Sequence, residues 1–240
     1  MSSLLFDDHA HLLRRTRASR IGGDLFLHER AFDDCRDRLA DVRRKFDRAL
    51  IAGSQASQWE NPLTHIVPKV AWGDPASFAP QSFDLCLSIG GLETRNDVQA
   101  AAFALHQSLR PGGLLLGAIV GGNSLPRLRA AMLAADRAEG GATPHLHPSI
   151  DGPSLAALLT SVGFIQPVID VDRIHVAYPD LSRLVSDLRA MGCTNILAER
   201  SRRPITRRGL QAAREAFGDG DAPAVEQFEL LHFAAWVPEI

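Results

Sequence analysis

One stretch in the middle of the chain restricts the fold more than any other. Phe83-Asp-Leu-Cys-Leu-Ser-Ile89 is an apolar run bounded by Gly90-Gly91. Val98, Ala101, Ala102, Leu105 and Leu109 then recur on one helical face over 97–109. Pro111-Gly112-Gly113 stops that pattern, and Leu114–Val120 is a second apolar run. Short continuous apolar runs of this length suit strands buried on both faces, and strand, helix, turn, strand is a βαβ unit. Parallel strands need helices on both faces, so the unit predicts an α/β protein with a doubly wound, mostly parallel sheet.

The flanking segments extend that pattern. Arg48–Ala52 is a further buried strand, closed by Gly53. Upstream, 9–20 reads as a helix, and Phe32, Cys35, Leu39, Val42 and Phe46 step by 3, 4, 3 and 4 residues along one stripe. These predict an N-terminal helical cover over 1–45, followed by an α/β domain over 46–240. Leu125, Leu128 and Met132 mark a helix, and Pro153 opens another that stops at Gly163. Strands are expected over 164–169, 173–178 and 228–237. Leu181, Leu184, Val185 and Leu188 share a helical face, and Thr206 caps a last helix through Phe217. The helical part of 121–217 reads as an insertion in the domain.

Composition excludes several classes. A formal charge of −2 provides no global field for nucleic acid or an anionic membrane. Arg200, Arg202, Arg203, Arg207 and Arg208 form the one dense basic segment; it lacks interleaved aromatics for base stacking and reads as a solvated helix entry. Cys35, Cys86 and Cys193 are odd in number and contain no C-x-x-C pair, which argues against a disulfide framework or zinc site and for a reducing, cytoplasmic setting. The apolar run 112–122 is too short to span a bilayer, and Asp7-Asp8 soon after the start argues against a secretory or transit segment. Gly218–Pro223 is the one candidate flexible stretch. Oligomeric state is not readable.

Three motifs in order carry a resemblance: Gly73-Asp74, then Pro80-Gln-Ser-Phe-Asp-Leu85, then Leu109-Arg-Pro-Gly-Gly113. Their order resembles the class I S-adenosylmethionine-dependent methyltransferases. Gly121-Gly-Asn-Ser-Leu-Pro-Arg-Leu-Arg129, Glu139–Pro148, Val176-Ala-Tyr-Pro179 and Asp187–Gly192 are similar to the branch containing a mitochondrial complex I assembly factor described as a protein-arginine hydroxylase. The resemblance implies a Rossmann-like sheet and S-adenosylmethionine as cofactor. It implies Asp74 on the adenine and Gly53, Ser54, Ser88, Ile89 and Gly90 beside the donor. It implies Leu92, Asn123, His145 and Tyr178 along the substrate or partner cleft. It names no catalytic base and no metal ligand.

The stretch Ala49-Leu-Ile-Ala-Gly-Ser-Gln-Ala-Ser-Gln58 departs from that pattern. An acid followed by G-x-G-x-G is usual there. Here Leu50 or Ile51 takes the acid's place, and Ser54, Ala56 and Ser57 replace glycines, which restricts positive φ and narrows the space for a ligand's amino-acid tail. Only 30 residues, 53 to 82, separate two buried strands, whereas one crossover alone takes roughly 30 residues. A fold reduced around strand two, without the acid that grips a ribose, is the expectation.

Several smaller features read as structural. His145 and His147 suit a proline-bounded loop rather than a metal. Tyr178 suits the core. Asp170 and Asp172 suit a strand end, or else a pair of carboxylates holding an acceptor guanidinium. Trp59 and Trp72 fill volume in the shortened interval. Two function classes follow: an S-adenosylmethionine-dependent transferase acting on a protein, or a binding and assembly protein that kept the fold and discarded the cofactor. An oxygen-using protein-arginine hydroxylase comes third.

Overall fold

The structure is a computed structural model that describes residues 4–220 and 222–239. Residues 1–3 of the N-terminal reading and residue 221 of the flexible stretch lie outside the described residues.

The central strands are β1, Arg48–Gly53, and β3, Phe83–Ile89. All seven residues of β3 are buried, as a strand covered on both faces requires. The two pair in parallel from Ala49↔Leu85 to Gly53↔Ile89. Asp84 ties their entrances together: its carboxylate accepts the N–H groups of Asp47 and Arg48 at 2.9 and 3.0 Å. The Ser-Phe-Asp-Leu motif is therefore a latch between strands. After β3, Asp97 caps α4, Val98–Ser108, by accepting from Ala100 N–H at 2.8 Å.

Strand β4 is Leu109–Val120 and begins five residues before the expected start at Leu114. Pro111-Gly112-Gly113 is not a separating turn. Phe83 opposes Leu109 and Leu85 opposes Leu114, so the extra residues bulge out of the parallel pair. The bulge stays in the sheet because Gly112 N–H reaches Val237 O at 3.1 Å.

Between β1 and β3 the chain forms a 3₁₀ turn at Ala56–Trp59, a five-residue helix α3 at Glu60–Thr64, and one strand, β2, Lys69–Trp72. β2 pairs directly with β1, Arg48↔Lys69 to Ile51↔Trp72. β6, Ala224–Trp236, runs antiparallel to β4, and β5 is Ile165–Tyr178. The sheet order is β2-β1-β3-β4-β6-β5. A doubly wound sheet of order 3-2-1-4-5-6 carries two strands beyond its first; this one carries a single strand, so the reduction is a whole strand and its crossover helix.

Where two strands were expected over 164–178, β5 is continuous. Asp170 and Asp172 are not left to end a strand in water. Arg38 and Arg30 of α2, Phe26–Asp41, bind them, Arg38 Nη2 at 2.7 Å from Asp170. The carboxylate pair does hold guanidinium groups, but they are the chain's own. Buried His232 of β6 lies 3.1 Å from Asp34 and 3.6 Å from Asp172, joining the same network. Phe32, Cys35 and Leu39 of the predicted stripe bury on α2, while Val42 and Phe46 lie past its end.

The chain forms two compact units. One comprises Phe26–Gly121, Ser149–Asp172 and the chain from Leu230, and includes α6, Gly152–Ser161. The other comprises the chain to Leu25, Gly122–Pro148 and Arg173–Glu229. It contains α1, Asp8–Ile21; α5, Pro126–Glu139; α7, Leu181–Ala190; and α8, Arg207–Phe217. α5 and α8 pack together, α5 burying Ala131 and Ala135 and α8 burying Gly209, Ala213 and Phe217. Glu139 fixes that pairing by accepting from Thr206 N–H and Oγ1, each at 2.8 Å. Among the described residues, no helix is long and apolar enough to cross a membrane.

Candidate functional site

In open α/β sheets, ligands bind outside the carboxyl ends of the strands where the winding reverses. Here that point is the paired ends of β1 and β3. Gly53 has φ +107°, and a Cβ there would lie 2.3 Å from Gly90 O and 2.4 Å from Ile89 O. No other residue type fits so close a backbone approach. Ser54 N–H then donates to Ile89 O at 2.9 Å, and Gln55 turns in the left-handed region at φ 55°. The chain leaving β1 is thus laid onto the end of β3. Ala56 and Trp59 bury behind it, Trp59 stacking on Phe32 at 5.1 Å and 18°. Trp59 fills volume as anticipated; Trp72 does not, being half exposed with its indole N–H on Glu60 at 3.1 Å.

Asp74 follows β2, the strand beside β1. Its carboxylate accepts from Ala76 N–H at 3.0 Å and from Arg95 at 2.9 Å. Burial raises its pKa, but those two bonds outweigh burial and hold it below the ordinary carboxylate value. Arg95 sits on the chain leaving β3, so the ion pair links the strands on either side of β1, whose ends stand about 9–10 Å apart at two strand spacings.

The segment after β3 contains a group that the motif reading stopped short of. Glu93 lies one residue beyond the predicted 88–92 segment. The residue is part-exposed overall, yet its Oε2 is buried with no hydrogen-bond partner among the described residues. Burial pushes the carboxyl up to about 7, against hydrogen bonds from the backbone of Glu93, Gly91 and Val120. A buried acid with a pKa near neutrality at strand ends is a recognised mark of a functional position. The signal available in sequence was an acid two residues past the Gly90-Gly91 pair that closes a buried strand. His28 of α2, also buried, has its Nε2 3.8 Å from where a Cβ on Gly90 would stand.

Of the other predicted residues, Ser88 and Ile89 are buried in β3 and Leu92 joins the core below it. Asn123, His145 and Tyr178 belong to the second compact unit. Asn123 Nδ2 donates to Glu229 at 3.0 Å. His145 Nε2 lies 2.9 Å from Asp136 and 2.9 Å from Thr143, a locally bonded imidazole. His147 accepts Ile196 N–H at 3.0 Å, and burial, with His11 and Arg14 nearby, pushes it down to about 4. The Tyr178 ring is buried, and burial followed by the Asp187 carboxylate pushes its hydroxyl up. Arg200 of the basic segment pairs with Asp7 at 2.9 Å.

No family model matches the chain. Among individual proteins, the Homo sapiens arginine-hydroxylase NDUFAF5, mitochondrial, is 30% identical over 240 residues, covering 88% of this chain and 70% of that protein. The malonyl-[acyl-carrier protein] O-methyltransferase of Xylella fastidiosa (strain M23) is 36% identical over 188 residues, covering 76% of this chain and 60% of that enzyme. In structure, a Bacillus halodurans C-125 protein provisionally described as a methyltransferase superposes with a TM-score of 0.53 at 14% identity, covering 84% of this chain and 98% of that one; this likeness concerns the fold alone. With a six-stranded doubly wound sheet and relatives of this kind, the chain belongs to the NDUFAF5 family within the class I S-adenosylmethionine-dependent methyltransferase superfamily.

Proposed function

We propose that this chain is a methyltransferase-fold protein that binds a protein partner, in the manner of an assembly factor, with a donor crevice reduced below what firm S-adenosylmethionine binding needs. One observation carries the reading: the single carboxylate after the strand beside β1, Asp74, is already engaged by Arg95 and Ala76 N–H. The backbone contact of Gly53 and Ser54 with Ile89 and Gly90 supports it, since that loop offers no glycine-lined cradle. Freeing Asp74 for a ribose means breaking a half-exposed pair, at a cost of less than about 1 kcal/mol, so the pair by itself lowers affinity by less than about tenfold and the closed Gly53–Ser54 loop carries the rest. The residues present do not fit the cofactor well, and no chemical step is assigned to it.

A protein-borne partner is supported by the names of the relatives, one specifying a group on a carrier protein and the other an arginine. Three cysteines outside any disulfide, two of them buried, support a reducing, cytoplasmic setting. A second reading, an S-adenosylmethionine-dependent transferase, is favoured by one fact. Asp74 comes 21 residues after Gly53 and follows the strand beside β1, where doubly wound folds place the ribose acid. Calorimetric titration with S-adenosylmethionine and S-adenosylhomocysteine separates the two. The partner-binding reading expects no saturable heat below millimolar ligand; micromolar affinity for either compound overturns it.

A further inference from the structure

Strand β2 ends the sheet, because the strand that a doubly wound fold carries beyond it is missing. Backbone groups of successive strand residues point to opposite sides. Gly73 N–H donates to Ile51 O of β1 at 3.0 Å, so the backbones of Ala71 and Lys69 face β1 as well. Val70 and Trp72 then direct two N–H and two C=O groups outward, where no strand of the described residues pairs with them. Such an edge is a template for another strand. Lysine is a common guard of edges, but the Lys69 ammonium is turned to Asp47, 3.2 Å away. Trp72 is 50% exposed, and Ile66, just before the strand, 43%.

We propose that β2 pairs antiparallel with β2 of a second copy of this chain, about a two-fold axis at Ala71, so that the two sheets run on as one. In this register Val70 faces Trp72 of the second copy, and Trp72 faces its Val70. Each pair exchanges two hydrogen bonds, and all the outward groups of both strands are used. The side chains match as well. Val70 and Trp72 lie on one face of the strand, and an aromatic against a β-branched residue is a favoured cross-strand pair. Ala71 meets Ala71 of the second copy at the close, non-hydrogen-bonded position, where a larger side chain would crowd. Lys69 meets Gly73, so no like charges oppose. An unrelated strand could use the backbone groups; the matched valine and tryptophan are what a second copy supplies. Pro68 has no N–H to give and stops the ladder at the two pairs. So short a contact falls below the standard interface size, and the dimer is weak and reversible.

Neither the donor crevice nor the identity of a partner enters into this pairing. Sedimentation equilibrium of the full chain, from about 1 μM to about 1 mM, should show reversible dimerisation within that range. Trp72→Lys, at a half-exposed position, and Val70→Pro, which removes only an outward N–H from the backbone, should each weaken it about tenfold or more while the circular dichroism stays parental. Ala71→Cys in a Cys193→Ser background tests the register. At a non-hydrogen-bonded pair the Cα atoms stand about 4.5 Å apart, within disulfide reach, so mild oxidation should yield a covalent dimer. Lys69→Cys in the same background should not cross-link, because its two copies lie about 13 Å apart along the strands. The proposal fails if the chain stays monomeric at the highest concentration, if W72K and V70P dimerise as the parent does, or if K69C cross-links as readily as A71C.

Discussion

Replacing Glu93 by glutamine should change how stability depends on pH, in a direction set by burial of its carboxyl. The carboxyl is raised from 4.5 to about 7, chiefly by burial. A raised acid binds its proton more firmly in the folded state than in the unfolded one. Its contribution is therefore complete below the unfolded value and is lost as pH climbs through the folded value. A shift of that size corresponds to about 3 kcal/mol, at 1.36 kcal/mol for each pH unit. Glutamine keeps the shape and removes the titration. Urea unfolding of both proteins from about pH 4 to about pH 8 should show the parent losing about 3 kcal/mol relative to E93Q, mostly between pH 4.5 and 7. Asp74, Asp136, Asp172 and Glu229, all held low in the fold, impose an opposite trend common to both proteins. The difference curve cancels it. Parallel curves for the two proteins would refute a Glu93 carboxylate raised by burial.

Three further outcomes follow from the same geometry. Gly53→Ala places a methyl 2.3 Å from Gly90 O at φ +107°, and should lower the urea-derived stability by about 3 kcal/mol or more. Asp84→Ala removes the acceptor of two strand-entrance N–H groups, and should cost about 2–3 kcal/mol in the same assay. Arg95→Ala breaks a half-exposed pair, so stability should move by less than about 1 kcal/mol. Calorimetry on that variant should show S-adenosylhomocysteine affinity unchanged or improved, because Asp74 is freed; a fall in affinity would mean that Arg95 serves the ligand.

The fold was legible where burial on both faces made strands into unbroken apolar runs. Arg48–Ala52 and Phe83–Ile89 announce themselves this way, and the short interval between them foretells the missing strand. Where tertiary partners rescue a local signal, legibility ends. Pro111-Gly112-Gly113 reads as a turn, yet the bulge is held in the sheet by a hydrogen bond from Gly112 to a residue 125 positions later, Val237. Asp170 and Asp172 read as a strand end, yet arginines from α2 neutralise them inside a continuous strand. The candidate site shows the same limit. Gly53, Asp74 and Ser88–Gly90 stand out from motif order, and their elements gather at the winding reversal. Glu93 escaped because an acid shortly after a glycine pair is a weak signal, and its distinction, burial of one oxygen, is set by the fold. Asn123, His145 and Tyr178 were grouped by resemblance, whereas in the fold each is held by neighbours of the second unit.

The measurement closest to the central claim is a crystal structure grown in millimolar S-adenosylhomocysteine. The account predicts Asp74 still paired with Arg95, Ser54 N–H still on Ile89 O, and no ordered nucleoside at the end of β1. Nucleoside density lying along Gly53, with its ribose hydroxyls on Asp74 in place of Arg95, would contradict it.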